Sequence, residues 1–68
     1  MKYEYRKLRG RIIEKYKTIS AFAKVIDRSE VSVSNKLNMK SGFSQEDIEL
    51  WSNALNIEFN EYGSYFFN

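Results

Sequence analysis

The stretch from Thr18 to Ser41 constrains the fold more than any other part of the chain. Ala21-Phe22-Ala23-Lys24-Val25-Ile26 is short and mostly apolar, with Thr18 and Ser20 just before it. Asp27-Arg28-Ser29 interrupts it, and Glu30-Val31-Ser32-Val33-Ser34-Asn35-Lys36-Leu37-Asn38 resumes helical spacing. This spacing predicts two short helices, over about 19–26 and 30–38, around a tight turn. Ser29 suits the N-cap of the second, because its hydroxyl accepts from an orphan backbone N–H. Asp27 is among the few non-glycine residues that tolerate a left-handed turn conformation.

The second segment has two faces. Val33 and Leu37, four apart, lie on one side and can meet a core. Val31, Ser34, Asn35 and Asn38 follow the i, i+3, i+4, i+7 pattern on the other. A merely solvated face would favour Lys, Glu and Gln, which are good helix formers. Short hydrogen-bonding side chains and one valine stand here instead. Asn binds adenine bidentately, Ser contacts several bases, and a small apolar group suits the thymine methyl. The alternative is a polar surface of accidental composition.

With 68 residues the chain makes one small domain, near the lower size limit for unaided stability. It has no Cys and no His, which excludes disulfides and the usual zinc sites. Packing or oligomerisation must then supply any added stability. The absence of Pro suits short helices, and 43% hydrophobic content argues against global disorder. No apolar run approaches the roughly 18 residues needed to span a bilayer. The charged, aromatic N-terminus lacks the apolar core of a signal peptide, so a soluble cytoplasmic protein is expected. Without His, Cys or a glycine-rich phosphate loop, the commonest general bases, thiol nucleophiles and nucleotide sites are missing, and catalysis is not expected.

The net charge of +2 hides a division. All 11 Lys and Arg lie within residues 1–41 against four acids, giving +7, while residues 42–68 carry five acids and no base, giving −5. Segregation of this kind is the electrostatic footprint of a protein with one side facing polyanion.

The rest of the chain reads as further helices. Over residues 4–16, Leu8, Ile12 and Tyr16 form an apolar stripe with Tyr5 at its start. Gly10 falls inside it, at a cost of up to about 1 kcal/mol relative to Ala, either to allow close packing or as a tolerated weakness. Its Arg and Lys side chains are expected to be mostly solubilising, with one or two turned to phosphate. Residues 38–42 form a turn. Ser44 begins a fourth helix as N-cap, with Glu46 and Asp47 in the first turn, where the helix dipole favours acids. Phe43 can staple onto Ile48, and Ile48, Trp51 and Leu55 continue the stripe. Trp51 is read as core rather than as a base-stacking platform. Beyond Asn56 a short helix over about 58–62 is expected, ended by Gly63, followed by an extended tail at Ser64-Tyr65-Phe66-Phe67 with strand-like propensity.

Residues 18–41 resemble the helix-turn-helix of phage repressors and Cro-like proteins. Phe22-Ala23 matches the apolar-alanine pair of the first helix, Ile26 the apolar residue before the turn, and Val33 the buried aliphatic of the recognition helix. The chain departs at Asp27, where that family usually has glycine. More widely, Lys7-Leu8-Arg9-Gly10-Arg11-Ile12, Ala21-Phe22-Ala23 and Lys36-Leu37-Asn38 followed by Ser41 are similar to small Cro-like proteins of temperate phages of Gram-positive bacteria, a group that includes modulators of repression.

The resemblance implies an all-α, compact four- to five-helix lambda-repressor-like domain with a short extended aromatic tail. It also implies a sequence-specific regulator that binds double-stranded operator DNA. Glu30, Val31, Ser34 and Asn35 are then the base-reading residues, with Glu30 equally suited to stabilising its helix N-terminus. Thr18, Ser20, Lys24, Ser29, Lys36, Asn38, Lys40 and Ser41 are the phosphate contacts. No cofactor, metal or small-molecule substrate is implied. A second expectation is a protein that modulates a phage repressor by binding it, through its acidic aromatic C-terminal region or its helix-turn-helix face. Tyr62, Tyr65, Phe66 and Phe67 are the expected surface for that partner or for a homodimer. In an extended tail the consecutive aromatics cannot all face one side.

Overall fold

The computed structural model describes residues 5–38 and 40–67. Every regular element among them is helical: α1 (Arg6–Tyr16), α2 (Ile19–Val25), α3 (Glu30–Leu37), α4 (Gln45–Leu55) and α5 (Tyr62–Phe66), the last entered through a single 3-10 turn at Phe59–Glu61. The all-α expectation holds.

Local chemistry explains where the elements start and stop. Thr18 and Ser29 cap α2 and α3, their hydroxyls accepting from the backbone N–H groups of Ala21 and Ser32 at 3.0 Å each. Ser44 caps α4 within a reciprocal capping box. Its hydroxyl accepts from the Asp47 N–H at 3.1 Å, and the Asp47 carboxylate accepts from the Ser44 N–H at 3.0 Å. Non-glycine residues with positive φ stand at Tyr5, Lys17, Asp27 and Asn56. Asp27 has φ 58° in the turn between α2 and α3, and Asn56 has φ 56° at the end of α4. Both residue types tolerate that region because their short polar side chains bond locally. α1 begins at Arg6 rather than at residue 4, and Glu4 lies outside the described residues.

One core gathers the apolar stripes of all five helices. It contains Tyr5, Leu8 and Ile12 from the first stripe, Phe22, Ala23 and Ile26 from the second, Val33 and Leu37 from α3, and Ile48, Trp51 and Leu55 from α4. Ile57, Tyr65 and Phe66 close it. Trp51 is its centre, edge-on to Phe22 at 5.0 Å and to Phe43 at 4.9 Å between ring centroids. Phe43, just before the α4 cap, also meets Tyr5 and Phe66 edge-on, at 5.4 and 5.2 Å. Such contacts add about 0.5–1.5 kcal/mol each beyond area burial. Replacing a buried ring of this kind by alanine costs roughly 3–5 kcal/mol, which is serious for so small a domain.

The C-terminal tail departs from expectation. It is not extended. Residues 62–66 form α5, and Gly63 lies inside that helix rather than ending it. A helix brings consecutive residues part-way round one axis, so Tyr65 and Phe66 both reach the core and are buried, while Phe67 remains exposed. Tyr65 and Phe66 are therefore removed from any docking surface. Tyr65 also lies under the Lys7 ammonium, 4.7 Å from its ring centroid. No helix among the described residues is long and apolar enough to cross a membrane.

Candidate nucleic-acid interface

α3 is held from both ends and from behind. Val33 and Leu37 are buried on its inner face. Ser29 satisfies its first turn, and at the other end Arg9 of α1 donates to the Leu37 carbonyl at 3.2 Å and to the Asn38 side-chain oxygen at 2.7 Å. The guanidinium thus meets the negative end of the helix dipole. Helical rotation puts Asn35 opposite the Val33–Leu37 seam, with Val31 and Asn38 beside it. Ser34 and Glu30 lie on one flank of this arc. Val31 is 68% exposed, an unusual position for an aliphatic side chain on a short polar face. Glu30 is exposed, and Ser34 and Asn35 are half-buried. Glu30 stands in the first turn of α3, where its charge also favours the helix.

The expected phosphate contacts divide into two groups. Thr18, Lys24, Ser29, Asn38, Lys40 and Ser41 are exposed, and Ser20 is half-buried. Thr18 and Ser29 use an oxygen lone pair for capping, which leaves each hydroxyl proton to donate. Asn38 receives Arg9 on its oxygen and keeps its amide N–H groups.

Lys36 departs from the expectation. Its ammonium lies 3.0 Å from the Asp47 carboxylate, donates to the Gly42 carbonyl at 3.0 Å, and stands 5.8 Å from the Phe43 ring centroid. The side chain is turned inward as a tie between α3 and the start of α4. Burial works to raise the Asp47 carboxyl pKa. The Ser44 backbone N–H, the Lys36 ammonium and the Ser44 hydroxyl outweigh it, and the group titrates below its ordinary value of 3.8.

Two residues that the sequence did not single out lie beside the expected contact residues in the chain. Ser32 is half-buried on the other flank of the outward arc from Ser34. Arg28 is exposed in the turn, with its guanidinium donating to the Asp27 carbonyl beside it at 3.2 Å. The signal for both was position, one inside the recognition segment and one in its turn. Among the described residues no group of His, Cys, Asp and Glu could hold a metal ion.

A family model described as "Protein of unknown function (DUF739)" matches residues 1–68. The chain belongs to the DUF739 family. No curated protein matches it. Membership in the DUF739 family therefore names no reaction.

Proposed function

We propose that this DUF739 protein is a sequence-specific DNA-binding transcriptional regulator of the repressor type, acting in the cytoplasm. α3 enters the major groove while α2 crosses the backbone. Asn35, Val31 and Ser34 meet base edges, with Glu30 placed to accept from a cytosine amine. Thr18, Lys24, Lys40 and Ser41, joined by Arg28, supply the phosphate contacts that set register.

The observation that supports this most strongly is the outward arc of α3. It presents an exposed valine among short hydrogen-bonding side chains, on a helix immobilised by Val33, Leu37, the Ser29 cap and Arg9. A helix needed only for packing has no reason to carry poor helix formers on its solvent side. The charge division adds the sequence-independent attraction on which such proteins rely.

The test is selection of binding sequences from random duplex DNA, followed by anisotropy titrations at fixed salt. A discrete sequence should emerge. Asn35→Ala should weaken binding to it by about 1–3 kcal/mol, the usual worth of a bidentate pair, and leave binding to random DNA nearly unchanged. Equal losses on both would remove Asn35 from base reading. Failure to enrich any sequence would overturn the proposal.

A further inference from the structure

A second surface, formed without any residue of α2 or α3, has the marks of a protein-binding groove. Phe43, Gln45, Ile48, Glu49, Phe59, Tyr62 and Phe67 line a cavity of about 300 Å³. Phe59 is 83% exposed and Phe67 55% exposed. Phe59 stacks edge-on against Tyr62 at 5.2 Å, so its ring is positioned rather than loose. Two phenylalanines held in solvent around a concave apolar floor are unusual for a monomer and point to an occupant.

The charge around the groove says what kind. Glu49 lines it. Glu46, Glu58 and Glu61 flank its lining residues in the chain, and residues 42–68 contain no Lys or Arg. Asp47, the fifth acid of this region, is already neutralised by Lys36. The remaining acids disfavour nucleic acid and anionic lipid. They also disfavour a two-fold dimer through this face, because self-pairing would set the acidic rim against itself.

We propose that the groove binds an amphipathic helical segment of a partner protein, with apolar anchors at i, i+3/i+4 and i+7 and Lys or Arg along both flanks. The anchors fill the space between Phe59 and Phe67 over Ile48, and the flanking cations face Glu49 and its acidic neighbours. This is the helix-in-groove mode of recognition. None of the groove's lining residues is among those proposed to contact DNA.

The probe is a synthetic helix of about five turns with leucines at that spacing and lysines on its flanks. Its controls are a scrambled peptide of the same composition and a version with Glu in place of Lys. Anisotropy of the labelled peptide should show saturable one-to-one binding that weakens with salt. Amide resonances of Gln45, Ile48, Glu49, Tyr62 and Phe67 should shift. Phe59→Ser and Phe67→Ser should each weaken binding at least tenfold while circular dichroism, thermal midpoint and DNA affinity are retained, since both rings are largely outside the core. Glu49→Gln should reduce the salt dependence. The proposal is overturned by equal binding of the scrambled or Glu peptide, by shifts confined to α2 and α3, or by the absence of saturable binding. It is also overturned if sedimentation equilibrium of the protein alone shows a dimer that Phe59→Ser abolishes, for then a second copy fills the groove.

Discussion

Lys36→Met separates a structural lysine from a phosphate-binding one. In the structure the ammonium sits 3.0 Å from Asp47 and 3.0 Å from the Gly42 carbonyl, and the two charged side chains are only 15% and 18% exposed. Exposed ion pairs contribute about 0.2–1 kcal/mol. This one is mostly covered and shares a capping box, which puts its coupling near the upper end, at about 1 kcal/mol. The hydrogen bond to Gly42 adds about 1 kcal/mol more. Methionine keeps an apolar side chain of similar length, so the expected loss is about 2 kcal/mol, or roughly 10 °C in thermal midpoint for a domain of this size. Urea titrations of Lys36→Met, Asp47→Asn and the double variant give the coupling directly. The same proteins, tested on DNA across a salt series, should keep the parent slope of log K against log salt, because no phosphate contact has been removed. A coupling near zero, together with a slope reduced by about 0.9, the share of one phosphate, would show that the lysine turns outward and that the inward geometry is wrong.

Lys40→Ala is the counterpart. Lys40 is exposed, and its loss should lower affinity across all sequences and reduce the salt slope by about 0.9 without changing stability. Gly10→Ala should raise stability by up to about 1 kcal/mol in urea titrations, since a Cβ at this exposed helical position meets nothing within 4 Å. Asp47 has a depressed folded-state pKa, so its contribution is complete above the ordinary value of 3.8 and is lost as pH falls through the folded value. Asp47→Asn should therefore destabilise near pH 7, and the gap to the parent should close below about pH 4, as read from urea midpoints along a pH series.

Much of the fold was legible because its punctuation is local. Ser29 and Ser44 announce their helices through side-chain oxygens that reach N–H groups three residues on, and Asp27 announces its left-handed turn through its own residue type. The stripe of Leu8, Ile12 and Tyr16 needs only helical periodicity. Gly10 was ambiguous because close approach of another helix is a tertiary fact, and the structure decides it in favour of tolerance. The tail was misread for a related reason. Tyr65, Phe66 and Phe67 have strand propensity, but an isolated strand has no ladder to join here, whereas a helical turn buries two of the three rings against Phe43 and under Lys7. Propensity is a weak prior when burial decides. Lys36 is turned toward Asp47, and a lysine on this segment looks the same in sequence whether it faces phosphate or an aspartate eleven residues away.

Where the cations go also changes the meaning of the +7 charge on the first 41 residues. α1 is the densest source of it, yet two of its arginines are committed inward. Arg9 finishes α3. Arg11 donates from Nε to the Leu55 carbonyl at 2.8 Å and from Nη2 to the Asn56 carbonyl at 3.0 Å. Tyr16 adds its hydroxyl to the Ala54 carbonyl at 2.6 Å. The last turn of α4 contains no basic residue of its own, and α1 supplies what that turn lacks. One helix therefore satisfies the carboxyl ends of two others, fixing both α3 and the helix that carries Trp51. Arg9, Arg11 and Lys36, three of the 11 Lys and Arg side chains, are thus tied into the fold. Exposed cations stand at Arg6, Lys7, Lys15 and Lys17, on α1 and just after it, and at Lys24, Arg28 and Lys40, beside α3 in sequence. In the proposed DNA-binding reading, the three cations beside α3 are the ones placed to meet phosphate while Val31, Ser34 and Asn35 meet base edges.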